Sequence, residues 1–199
     1  MKKLAILISD AGIGTNLQAI IDAVKTKKLK AKIKLVVSSS KDAFGLKRAE
    51  ENKIPTMVVD KKNDLKKIFN DNKIDLIVLA GWKLIIPQSL IDAFKNKILN
   101  LHPGLIPDKI DGIVINPDKT IGLWNRGKLT DVAIKNFLDK KATYAGATVH
   151  FLSDEFDFGT ILDRCFEKIL PKDTVESLYK RLKKKENKIY VESLMKLCN

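Results

Sequence analysis

Residues 98–108 read ILNLHPGLIPD, a run that holds one of only two histidines in 199 residues. Asn100 and His102 stand two apart, and on a strand that spacing sends both side chains to one face. An amide donor beside an imidazole is what a developing oxyanion needs at a carbonyl under attack. Pro103 keeps the exit extended, and Gly104 admits a close approach of backbone. A second cluster, SDEFDFGT over 153–160, offers Asp154, Glu155 and Asp157 in one loop. A carboxylate beside an imidazole raises its pKa, orients it and can relay a proton. His150 lies inside an apolar run and reads as a buried, hydrogen-bonded residue instead. The third cluster, SDAGIGTNLQ over 9–18, puts Gly12 and Gly14 at a tight turn. Thr15 or Asn16 then opens a helix whose free N–H groups attract a phosphate. No GK[ST] follows, so this is not a Walker loop. Leu17 and Ser38–Ser40 stand where a dinucleotide fingerprint has glycine and an acid.

These clusters fall at the ends of apolar runs, and the runs define the elements. KLAILIS (3–9), KIKLVVSS (32–39), PTMVVD (55–60), IDLIVLAG (74–81) and KILNLHP (97–103) read as strands. Between them, 16–28, 43–51, 65–72 and 87–96 read as helices. Leu17, Ile20, Ile21 and Val24 mark one helical face. Strands alternating with helices argue for an α/β fold with a parallel sheet, and near-continuous apolar strands suit burial on both faces. Ligands of such sheets bind beyond the carboxyl ends of the strands, where the clusters sit. Residues 108–144 differ: their Asp, Asn, Gly and Pro punctuation predicts loop with a short hairpin, followed by a helix over 129–141 capped by Thr130 or Asp131. Strands over 145–153 and 159–169, antiparallel to each other, precede a long helix from Thr174 to Met195. Asp173 and Glu176 have capping-box spacing at its start.

Composition narrows the function. Apolar residues make up 45% of the chain, enough for one sizeable core, and no run approaches the roughly 20 apolar residues that span a bilayer. The net charge is +13, yet only Arg48, Arg126, Arg164 and Arg181 among 37 basic residues are arginine. Lysines scattered among acids describe solvated faces better than a nucleic-acid footprint, which favours the guanidinium fork. Cys165 and Cys198 lack CxxC spacing, so neither a zinc site nor a disulfide framework is expected, and the setting expected is a reducing cytoplasm.

With these residues in view, the chain resembles the folate-dependent formyltransferases, most closely those acting in purine biosynthesis. The resemblance rests on GTNLQAIIDA, AFGLKRAEE, LAGW, LNLHPGLIP, VHFLSDEFDFG and RLKKKENKIY, in family order. It implies a Rossmann-like formyltransferase fold over residues 1–199 as a single domain. Its sheet would be mostly parallel, with helices on both faces and antiparallel strands toward the C-terminus, and 108–144 would be an atypical inserted segment. It also implies a transferase moving the formyl group of 10-formyltetrahydrofolate to the amine of glycinamide ribonucleotide, with no metal. The family's catalytic trio falls on Asn100, His102 and Asp157. Asn100 and a protonated His102 would stabilise the oxyanion, while Asp157 keeps His102 charged and shuttles protons. The acceptor would be held by Gly14, Thr15, Asn16, Gly104, Lys183 and Glu186, and the pterin by Trp82, Leu84, Ile86, Leu152, Ser153 and Asp154. Three positions depart from the family: Leu84 replaces an arginine, Phe158 a glycine, and Gly104 a common serine. Expected partners are small molecules, with neither membrane nor nucleic acid, for a monomer or homodimer. The alternatives are another amine acceptor, such as an amino sugar nucleotide, and a catalytically silent, lysine-rich nucleic-acid binder.

Overall fold

The computed structural model describes residues 1–10, 13–60 and 63–199. Within them the chain forms two compact units, Met1–Asn100 with Val191–Asn199, and Leu101–Tyr190.

The first unit grows from β1 (Lys2–Ile8), in which Leu4, Ala5, Ile6, Leu7 and Ile8 are all buried. Burial on both faces is why this strand shows no polar alternation. It is followed by α1 (Thr15–Lys25), β2 (Ala31–Ser38), α2 (Phe44–Glu51), β3 (Thr56–Val58), α3 (Leu65–Asp71), β4 (Leu76–Leu79), α4 (Gln88–Ala93) and β5 (Ile98–His102). In this unit the strands lie in the order β3-β2-β1-β4-β5, each pair parallel. The chain therefore winds outward from β1 through β2 and β3, then returns to the other side of β1 with β4. That reversal makes the β1 and β4 ends a topological switch point, the usual ligand crevice of open α/β sheets. The two loops leaving it are tied together: Lys83 donates its backbone N–H to Ser9 Oγ at 3.0 Å, and its ammonium pairs with Asp10. On α1, Leu17, Ile20 and Ile21 face the core as their spacing predicts.

The second unit begins inside β5. After it, Val114–Gly122 forms the expected short hairpin, closed by an Ile115–Ile121 bridge. Then come α5 (Thr130–Asp139), β6 (Tyr144–Phe151), β7 (Ile161–Lys168) and α6 (Val175–Cys198), whose last turns belong to the first unit. β6 and β7 are antiparallel, with an irregularity between Val149 and His150.

Two expected caps differ. The α5 N-cap is Leu129, held extended without a side-chain bond, because the helix already includes Thr130 and Asp131. At α6 the reciprocal capping pair is Thr174 and Ser177: each backbone N–H donates to the other's hydroxyl, at 3.0 and 3.2 Å. Asp173 is engaged by Arg181, which draws its carboxyl well below the usual range. No helix among the described residues is long and apolar enough to cross a membrane.

Candidate active site

β5 ends at His102, whose ring is 2% exposed. Its Nε2 lies 2.7 Å from the main-chain oxygen of Trp124. A carbonyl oxygen only accepts, so Nε2 carries the proton and the titrating nitrogen is Nδ1. Nδ1 faces Asp157 Oδ1 at 3.7 Å, within ion-pair range and beyond a direct hydrogen bond. Burial is the largest influence on the imidazole and lowers its pKa; Asp157 and the Trp124 carbonyl oppose this without overcoming it. The sequence expects Asp157 to keep His102 charged; burial shifts the imidazole the other way, toward its neutral form. Desolvation outweighs the neighbouring carboxylate.

Asp157 is held in place from three directions. Its backbone sits at φ +50°, a left-handed conformation that costs a non-glycine residue about 1 kcal/mol or more. Its carbonyl accepts from Trp124 Nε1 at 3.0 Å, and its Oδ2 accepts the Gly127 N–H at 2.7 Å. Arg126 donates to the Phe156 carbonyl next to it and pairs with Glu155. Behind His102 lies His150, fully buried, its ring edge-on with centroids 6.5 Å apart. Its Nδ1 is 3.0 Å from the Phe151 carbonyl, and burial, helped by His102, pushes its pKa down to about 4. It is the buried structural histidine that the sequence predicts. A Cβ added to Gly104 would fall 1.8 Å from the Trp124 oxygen, so the close approach that Gly104 admits is that of this carbonyl.

The other predicted residues fall into three places. Asn100, half-buried, stands two residues before His102 on β5, in register with Leu79 of β4. Leu152, Ser153 and Asp154 open the loop that carries Asp157, and Ser153 Oγ donates to the Phe158 carbonyl at 3.0 Å. On α6, Lys183 pairs with buried Glu186 at 3.0 Å and lies over the Tyr179 ring. Burial depresses the ammonium's pKa, but Glu186 and Tyr179 outweigh it, so the net shift is upward. In the first unit, Gly14 is the left-handed N-cap of α1, ahead of Thr15 and Asn16, and among the described residues no side chain caps that helix. Asn16 is buried with an Oδ1 to which no described group donates a hydrogen bond. Gly12 lies outside the described residues. Trp82 and Leu84 line a cavity of about 630 Å³ with Val59, Asp64, Pro87 and Leu90, while Ile86 is buried beside it and contributes no lining. Among the described residues no group of three or more His, Cys, Asp or Glu is placed to hold a metal ion.

Trp124, Arg126 and Gly127 are absent from the sequence-based site. The one available signal was the WNRG turn, an aromatic and a left-handed glycine in an otherwise polar stretch.

The profile of the formyl transferase family matches residues 2–194, and the chain belongs to that family. It is 36% identical over 199 residues to the phosphoribosylglycinamide formyltransferase of Haemophilus influenzae, covering 96% of this chain and 84% of that one. It is 35% identical to the enzyme of that name from Dictyostelium discoideum, covering 96% and 95%. Among solved structures, glycinamide ribonucleotide transformylase 1 from Geobacillus kaustophilus superposes with a TM-score of 0.81 at 28% identity, over 100% of both chains.

Proposed function

We propose that this chain, acting as one formyltransferase domain, moves the formyl group of 10-formyltetrahydrofolate to the amine of glycinamide ribonucleotide. The observation that carries the reading is the His102–Asp157 pair at the end of β5, in a member of the formyl transferase family with relatives of that activity. The amine nitrogen attacks the formyl carbon, giving a tetrahedral intermediate with a negative oxygen. Asn100 donates its amide N–H to that oxygen. The attacking nitrogen must lose a proton, and neutral His102 takes it at Nδ1, the nitrogen that Trp124 leaves available. Asp157 stabilises the imidazolium so formed. The proton then passes to the folate nitrogen as its bond to the formyl carbon breaks. One N–C bond has formed, one has broken, and the net proton count is unchanged.

The uncapped start of α1 at Gly14, Thr15 and Asn16 supports the assignment of the ribonucleotide phosphate to that turn. Trp82 and Leu84 on the wall of a cavity that mixes apolar residues with Asp60, Asn63 and Asp64 support the assignment of the pterin to the Trp82–Ile86 loop. Glu186, already beside an ammonium in Lys183, has the charge to hold an amine. The test is a formyl-transfer assay with 10-formyltetrahydrofolate and a panel of amines. Turnover with glycinamide ribonucleotide that His102→Ala abolishes supports the reading. Preference for another amine refutes the acceptor, and no transfer to any amine refutes the activity.

A further inference from the structure

We propose that Trp124 is a positioning residue for this reaction, fixing Asp157 through its indole N–H and His102 through its main-chain carbonyl. The inference rests on the proposed function, and it assigns work to a segment with no expected role. Asp157 occupies a strained backbone conformation, and such strain persists only where surrounding contacts determine it. Two of those contacts come from one short turn: Trp124 Nε1 to the Asp157 carbonyl at 3.0 Å, and the Gly127 N–H to its carboxylate at 2.7 Å. The carbonyl of Trp124 takes the Nε2 proton of His102 and thereby turns Nδ1 toward Asp157. The indole is held in turn: Phe158 packs on it with ring centroids 5.8 Å apart, and the Arg126 guanidinium lies 5.0 Å from its centroid. The groups facing the His102–Asp157 pair are therefore His150 from β6 and the Trp124–Gly127 turn, with Arg126 and Glu155 at its edge.

Two further residues shape the turn. Gly104 leaves room for the Trp124 carbonyl, and Phe158 supplies the ring that Trp124 packs against. The inserted segment supplies Trp124 itself.

A double-mutant cycle tests this. Trp124→Phe keeps a ring and removes the indole donor; replacement of Trp124 by β-(3-benzothienyl)alanine removes only the N–H and serves where the phenylalanine variant folds poorly. Loosening a positioned group by an ångström costs on the order of 100-fold, so kcat should fall about 10- to 100-fold with KM for both substrates little changed. In an Asp157→Asn background the same replacement should cost less than about twofold, since the residue it positions is already disabled. NMR titration of His102 should also show a shifted imidazole pKa in Trp124→Phe, a readout that needs no substrate. Equal losses in both backgrounds, or an unmoved titration, overturn the positioning role. A wild-type protein that transfers no formyl group sinks the proposed function alone, and the titration still decides the role of Trp124.

Discussion

Asp157→Asn isolates the contribution of one carboxylate while leaving the volume of the side chain nearly unchanged. At 3.7 Å and an effective dielectric of about 20, an imidazolium at His102 gains roughly 4–5 kcal/mol from Asp157. Burial opposes the charge more strongly still, which is why the resting imidazole is neutral. The attraction is therefore realised only when His102 accepts the proton from the attacking amine. Losing it raises the barrier of that step by up to the same amount, and a rate loss of about 100- to 1,000-fold follows. The pH profile carries a second signature. The base is active when deprotonated, so kcat/KM falls as pH drops through the His102 pKa, which lies below its ordinary 6.5. Without Asp157 the imidazole is less basic, and the acid limb moves lower. The assay is kcat/KM between pH 5 and 8 for both proteins, with circular dichroism to verify folding. A variant that keeps more than about a third of wild-type activity, or whose acid limb stays in place, refutes the proton-acceptor assignment.

Gly104→Ala drives a methyl into the Trp124 carbonyl and should destabilise by about 1–3 kcal/mol, read as a lower denaturation midpoint, with loss of turnover as the carbonyl is displaced from His102. His150 should make stability pH-dependent. Its folded pKa of about 4 lies below the unfolded value of 6.5, so the unfolded chain binds more protons. The stability of roughly 3 kcal/mol is present above pH 6.5 and lost as pH falls toward 4; urea titrations should show a shallower slope in His150→Phe than in wild type, the remainder coming from groups such as His102. Glu186→Gln leaves the Lys183 ammonium without its buried partner and should cost about 3–5 kcal/mol, together with a raised KM for the amine acceptor. Unchanged denaturation in that variant would mean that the pair is relaxed by solvent.

What the sequence revealed and what it withheld divide along the range of the interactions. β1, β2 and β4 were legible because Leu4–Ile8, Leu35–Val37 and Leu76–Leu79 are apolar runs too short for helices, and α1 because Leu17, Ile20 and Ile21 share a face. Asn100 and His102 were legible because a strand end fixes their relation locally. The start of α6 misled because Asp173–Glu176 and Thr174–Ser177 both have three-residue spacing, and the Asp173 carboxylate is taken up by Arg181 two turns along the helix, by the Leu170 N–H and by the Ser177 hydroxyl. The charge of His102 was beyond local reasoning. A neighbouring carboxylate can be guessed from a loop, but the desolvation that outweighs it exists only once the ring is buried in the folded unit.

The Trp124 turn extends that argument from stability to catalysis. A histidine whose Nε2 faced water could exchange tautomers, and either nitrogen could meet the reacting amine. With Nε2 bound to the Trp124 carbonyl, the exchange would leave a lone pair facing a carbonyl oxygen in a buried site, where an unmet polar contact costs about 1–3 kcal/mol. The Trp124 carbonyl thus favours a proton on Nε2, while Asp157, 3.7 Å from Nδ1, favours one there, and the two contacts together suit the doubly protonated ring that forms during transfer. The glycine at 104 is then intelligible as the space this carbonyl occupies. Phe158 is intelligible as the surface that keeps the indole above Asp157. Gly104→Ser should therefore damage this enzyme, since the Cβ alone would fall 1.8 Å from the Trp124 oxygen.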